Sequence, residues 1–267
     1  MSAGAELSFI MFHKFPVAIA GLFLVVASGF GQWVEKSSNV ENSTLPALVH
    51  RHVELENSSG DSAQLDLALV SATKPDLSLR LIDNPGGSLD LAEAMNRNEC
   101  IAGVNGGYFD PDFLPMGLRI VGGKVVRPVR RARLLTGILA SGPGYMKILR
   151  TNEYSPRGKM NVALQCGPLL VDAGHPVKGL ERTRLARRTF AVVGNRTFGL
   201  GVSSDITLAD AAAILVTIRL GENVKVTRAM NLDGGSSTAF WFKRANGTVI
   251  SQSELKTVRD FLGIGAK

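Results

Sequence analysis

Residues 229–238 read Ala229-Met230-Asn231-Leu232-Asp233-Gly234-Gly235-Ser236-Ser237-Thr238. Side chains on a strand alternate between its faces, so Met230 and Leu232 share an apolar face while Asn231 and Asp233 share the other. Gly234 and Gly235 then let the backbone turn sharply and let a ligand approach its N–H groups. The hydroxyls of Ser236, Ser237 and Thr238 follow. A carboxylate at a strand end, beside N–H donors and hydroxyls, suits an oxygen-rich ligand. The same residues also read as a plain glycine turn with a solvated aspartate.

Upstream, Val104-Asn105-Gly106-Gly107-Tyr108-Phe109-Asp110 repeats the design: an apolar strand, an Asn, Gly-Gly, then an acid. Alone it reads as an Asn-Gly hairpin turn. Taken together, the two stretches predict strand–Gly-Gly loops that form one cleft, bringing Asn105, Asp110, Asn231 and Asp233 together.

These pieces resemble the phosphodiester glycosidase domain family. Besides the two Gly-Gly stretches, the resemblance rests on Pro115-Met116-Gly117-Leu118, Cys166-Gly167-Pro168-Leu169-Leu170-Val171 and Arg188-Thr189-Phe190-Ala191-Val192-Val193-Gly194. It also includes Thr207-Leu208-Ala209-Asp210 and Leu262-Gly263-Ile264-Gly265, all in the family's order over roughly residues 50–265. The family often has a third glycine where this chain has Ser236. It often has a Glu-Arg-Pro-like stretch before the last strand, where this chain has Leu255-Lys256-Thr257-Val258-Arg259. The resemblance implies a hydrolase that cleaves the sugar–phosphate bond of a glycosyl-1-phosphodiester.

The residues present suit that chemistry. An oxocarbenium-like transition state needs a nearby carboxylate; Asp233 is the expected one, with Asp110 as second acid or base. The leaving phosphate needs anion stabilisation more than a strong acid. Arg188, opening an apolar strand, is the expected donor. The N–H groups of Gly106, Gly107, Gly234 and Gly235 would form an oxyanion-type cradle. Asn105, Tyr108, Asn231, Ser236, Ser237 and His175, which follows the Gly174 turn, complete the expected substrate contacts. Two other readings stay open: a non-catalytic glycan-binding or envelope polysaccharide assembly protein, and a metal-dependent phosphodiesterase in which Asp233 and Asp110 hold the ion.

The rest of the chain narrows the setting. Its 267 residues are 45% hydrophobic and 20% charged, enough to build a core. Phe15–Phe30 is an uncharged, mostly apolar run after His13 and Lys14, ending in small residues. It reads as a signal peptide over residues 1–31, implying export to the periplasm or cell surface with no membrane span after cleavage. Residues 32–49 read as a linker and 50–267 as one domain. The net charge of +7 favours an anionic partner, a sugar phosphate or acidic glycan. Export and the lack of interleaved aromatics argue against nucleic acid. Cys100 and Cys166 leave one disulfide and two buried thiols equally open.

No cofactor or metal is expected. Gly199-Leu200-Gly201 lacks the third glycine of a dinucleotide fingerprint, and His50 and His52 share a strand face without a third ligand. Alternation and turn signals predict strands at Leu65–Val70, Leu77–Ile82, Ile101–Asn105, Phe240–Phe242, Val249–Ser251 and Phe261–Ile264. Hairpins turn at Gly122-Gly123 and Gly194-Asn195-Arg196. Helices are expected at Ser88–Met95 and at Leu208–Leu220, the latter capped by Thr207. The sum is an α+β domain around a mixed sheet with few helices.

Overall fold

In the computed structural model, which describes residues 1, 32–71 and 76–267, short strands dominate. They run in chain order as β1 (Val34–Asn42), β2 (Leu48–Glu56), β3 (Ser62–Ser71), β4 (Leu77–Asp83), β5 (Cys100–Asn105) and β6 (Arg119–Val121). Then come β7 (Lys124–Arg127), β8 (Gly137–Gly142), β9 (Tyr145–Arg150), β10 (Val162–Cys166), β11 (Leu169–Asp172) and β12 (His175–Pro176). The last are β13 (Ala186–Gly194), β14 (Thr197–Ile206), β15 (Val226–Asn231), β16 (Phe240–Lys243), β17 (Val249–Gln252) and β18 (Asp260–Ala266). Helix α1 (Leu91–Arg97) lies between β4 and β5, and α2 (Leu208–Thr217) between β14 and β15. The expected signal peptide lies outside the described residues. Among those described, no helix is long and apolar enough to cross a membrane.

One mixed sheet was expected, but the strands form three sheets, ordered β1-β2-β3-β14-β13-β15-β11-β12, β7-β6-β10-β8-β9 and β17-β16-β5-β18-β4. Every pairing between these strands is antiparallel. Parallel neighbours need a crossover of a dozen or more residues, and seven of the fifteen neighbouring pairs among the described strands are consecutive in the chain and joined by short connections instead. Gly122 and Gly123, with φ of +55° and +80°, make one such turn.

The inner faces of all three sheets meet in a single core that includes Leu48, Val70, Leu81, Val104, Leu139, Leu164, Leu200 and Phe240. Against the other face of the eight-stranded sheet, α2 buries Ala211, Ile214 and Leu215. Thr207 caps α2 by accepting from Asp210 N at 3.1 Å and donating to its carboxylate at 2.6 Å. A cap of this kind stabilises by about 1 kcal/mol. Asp90, expected inside the first turn of α1, is its N-cap.

The expected linker at 32–49 is part of the domain. Val34–Asn42 pairs along β2, and the described residues from Gln32 onward form one compact unit. Before this strand Trp33 is buried and donates to Asp210 at 3.2 Å, tying the chain to α2. β1 is an edge strand with mostly exposed side chains, so it carries no apolar alternation to read. Cys100 and Cys166 are separate buried thiols, both pushed up by burial, Cys100 to about 11.

Candidate functional site

Two sheets meet where the Gly-Gly stretches end their strands. Asn105 closes β5 with no exposed surface. Its Nδ2 donates to the Asp233 carbonyl at 2.7 Å, and its Oδ1 accepts from Thr189 Oγ1 at 2.7 Å and Ala239 N at 3.1 Å. The Asp233 N–H donates to Gly106 O at 3.1 Å. Both backbone groups of Asp233 are therefore held by the first Gly-Gly element. The two stretches sit side by side. Asn105, however, is spent on protein groups: it positions Asp233 and does not reach a ligand.

The first glycine pair also differs from its expected role. Gly106 N donates to Asp260 O and Gly107 N to Asp260 Oδ1, each at 2.8 Å. A Cβ on Gly106 would stand 1.6 Å from Asp260 Oδ1. Both N–H groups are taken by buried Asp260, one by its backbone carbonyl and one by its carboxylate, and not left for a substrate oxyanion. Asp260 pairs with Arg119 at 2.5 Å, and both are almost wholly buried. Arg119 also meets Asp83 at 3.3 Å, and Arg259 binds the same carboxylate. Burial pushes the Asp260 carboxyl up to about 6, against the pull of Arg119, the Gly107 N–H and Arg259. Sequence reasoning missed Asp260 and Arg119, because neither stands in a local pattern that marks it.

In the second pair Gly234 packs on the backbone, its Cβ position 3.0 Å from Arg187 O, and Gly235 is open. Gly235, at φ +64°, has no atom within 4 Å of where a Cβ would stand. Asp233 is half-buried, and Gly234 N donates to its Oδ1 at 3.0 Å. Burial raises its carboxyl above the usual range, opposed by the Ser237 hydroxyl, the Gly234 N–H and the Lys256 charge. The Ser237 hydroxyl is near enough to act on the charge, yet it lacks hydrogen-bond geometry. Half-exposed Ser236 accepts from Leu255 N at 2.7 Å, which fastens the Lys256 segment to this loop.

Arg188 lies beside the same loop, the Gly234 Cβ position being 3.8 Å from its Cα. Its Nε donates to Ile206 O at 2.9 Å and its Nη2 to Arg184 O at 2.6 Å, with Glu181 at 3.8 Å. Nη1 has no protein partner among the described residues. Burial lowers the Arg188 pKa, and Glu181 opposes that shift. Tyr108 donates to Gly167 O at 2.6 Å and accepts from Asn231 Nδ2 at 3.0 Å; burial raises its hydroxyl. Asn231 is buried, with its Oδ1 unpartnered.

Two expected contacts serve elsewhere. Asp110 Oδ1 accepts from Asp112 N at 3.1 Å and Leu114 N at 2.8 Å, so this carboxylate shapes its own loop. His175 is exposed and pairs with Asp172, while the adjacent Gly174 bonds Thr227. That is four residues back along β15 from Asn231, roughly 13 Å at the rise of a strand. His50 and His52 both turn to Asp66 Oδ1, at 2.8 and 2.9 Å. Among the described residues no group of three or more His, Cys, Asp or Glu is placed to hold a metal ion.

Comparison with known proteins bears on the fold and the family. No curated protein sequence matches the chain. The fold is similar to the catalytic domain of zebrafish N-acetylglucosamine-1-phosphodiester alpha-N-acetylglucosaminidase, auto-inhibited by pro-peptide, with a TM-score of 0.63 and 18% identity. That match covers 88% of this chain and 89% of the zebrafish one. A hypothetical protein from Synechocystis is similar with a TM-score of 0.58 and 15% identity, over 83% of this chain but only 62% of that one. The model of the phosphodiester glycosidase family matches residues 98–264, more than half of the sequence and the whole of the strand-end site. The chain belongs to the phosphodiester glycosidase family.

Proposed function

We propose that this chain hydrolyses the sugar–phosphate bond of a glycosyl-1-phosphodiester, outside the cytoplasm, with Asp233 as the essential carboxylate. The observation that carries this reading is the placement of Asp233. Its backbone is fixed at both ends by Gly106 O and Asn105 Nδ2, its carboxylate is half-buried, and Arg188 lies one glycine away. A positive charge develops on the sugar as the anomeric carbon–oxygen bond breaks, and a fixed carboxylate stabilises it or attacks it. The leaving oxygen departs on a phosphomonoester, whose charge Arg188 Nη1 is free to meet. Water supplies the new anomeric hydroxyl, and its other proton leaves with the products. The phosphodiester named for the zebrafish enzyme supports this substrate class, and the apolar run at 15–30 supports export.

The test is product analysis with a sugar-1-phosphodiester, with and without chelator. Free sugar plus phosphomonoester supports the proposal. Alcohol plus sugar phosphate would instead identify a phosphodiesterase, and binding without turnover a glycan-binding protein. For export, material from the native host should begin near Gly31 or Gln32.

A further inference from the structure

Between Asp112 and Glu153 the chain has no acidic residue. Within that span, Lys124–Leu134 runs along the surface as edge strand β7 and the loop after it. Lys124, Arg130, Arg131 and Arg133 are exposed and Arg127 is half-buried. Among the described residues none of the five enters an ion pair. Cations alone would make an ordinary solvated surface. The same segment, however, holds Val125, Val126, Val129 and Leu134 at 59%, 57%, 40% and 56% exposure. Solubility gives no reason to set four aliphatic side chains in water among unpaired guanidiniums. An interface that is anionic outside and apolar beneath satisfies both features.

We propose that Lys124–Leu134 docks on an anionic lipid bilayer. The cationic heads take headgroup phosphates while their stems and the aliphatic side chains enter the layer below. The segment also borders the strand-end site. Arg127 pairs in register with Arg119, which meets Asp260 behind Gly107. At its other end, a Cβ on Gly167 would lie 2.3 Å from Leu134 O, and Gly167 O accepts from Tyr108 and Asn231. Docking therefore brings this end of the molecule to the lipid surface, whatever reaction occurs there.

The test is sedimentation of the full chain with phosphatidylcholine vesicles and with vesicles that also contain phosphatidylglycerol. Binding should favour the anionic vesicles and weaken with salt. Arg130→Ser/Arg131→Ser/Arg133→Ser should lower that partition on the order of a hundredfold, at roughly a factor of five per cation. Val125→Ser/Val126→Ser should lower it several-fold without altering the salt dependence. Thermal melts of both variants should match the parent, because these side chains are exposed. Equal binding to both vesicle types, as an apolar anchor at residues 15–30 would give, overturns the proposal. So does an unchanged partition in the arginine variant. Loss in the arginine variant alone, with equal capture by soluble polyphosphate, would identify a polyanion site and overturn the bilayer reading.

Discussion

At Gly106 a side-chain carbon would stand 1.6 Å from Asp260 Oδ1, whereas at Gly235 it would meet no atom within 4 Å. The flanking sequences, Asn105-Gly106-Gly107 and Asp233-Gly234-Gly235, look alike. In the first, glycine is required because the buried Asp260 presses on the backbone, its carbonyl taking the Gly106 N–H and its carboxylate the Gly107 N–H. In the second, glycine is required by the positive φ of a turn that leaves open space next to Asp233. The first element is scaffold, and the second is the one on which the proposed chemistry rests. A glycine pair next to a polar strand end therefore marks a junction, and what crowds or spares it decides the role.

Asp233→Asn is the strongest way to break this division. It keeps the volume and removes the charge, so turnover should fall a thousandfold or more, about 4 kcal/mol on the barrier. The melting temperature should stay within a few degrees of the parent. Normal turnover in a folded variant would move the chemistry elsewhere.

Gly106→Ala should act the opposite way. Its methyl would collide with a carboxylate held by Arg119 and the Gly107 N–H, which leaves no easy retreat. Overpacking here should cost about 3 kcal/mol or more in denaturant unfolding. A variant as stable as the parent would show that the first element is not packed shut.

Asp260 gives the scaffold a pH signature. Its folded pKa is about 6 against an unfolded value of 3.8, so between these values the folded state holds more protons. Stability from this group is fully present below about 3.8 and is lost as pH rises through about 6. Lowered carboxylates such as Asp66 and Glu153 contribute with the opposite sign, so the parent's profile alone is not the readout. The informative quantity is the unfolding free energy of the parent minus that of Asp260→Asn. It should fall by at most about 3 kcal/mol across this window and level off above it. A flat difference would mean that Arg119, the Gly107 N–H and Arg259 fully offset the burial of the Asp260 carboxyl.

Much of the fold is legible in the sequence, because its signals are local, whereas the division between the two glycine pairs is not. The hairpins at Gly122-Gly123 and Asn195-Arg196, the Thr207 cap and both Gly-Gly stretches each rest on residues a few positions apart. Asp233 and Arg188 also stand beside one loop. What stayed hidden depends on distant partners. Asp260 lies 153 residues from the Gly107 N–H it accepts, so the cradle read into Gly106 and Gly107 was already filled. Gln165 likewise takes Leu118 N and Arg130 N from well outside its own strand. β8, with glycine at both ends and nearly all its side chains buried, has no alternation to reveal it. His175 looked like a contact because of its turn, and only the register of β12 shows which end of the sheet it occupies.

Gly235→Ala makes the smallest expected change and the finest test. The new methyl meets nothing, so the only folding cost is an alanine at φ +64°, about 1 kcal/mol. For a chain of this size that shifts the melting temperature by a few degrees. The space it enters is the open side of the Asp233 loop, where a phosphodiester would have to approach. Activity should therefore fall further than stability does, with the loss seen in kcat/KM. A substitution at a merely structural turn would lower stability and leave turnover per folded molecule unchanged. Gly106→Ala should show that structural pattern, with residual activity tracking the folded fraction. If Gly235→Ala behaves the same way, the open turn is scaffold too, and Asp233 stands without a ligand space beside it.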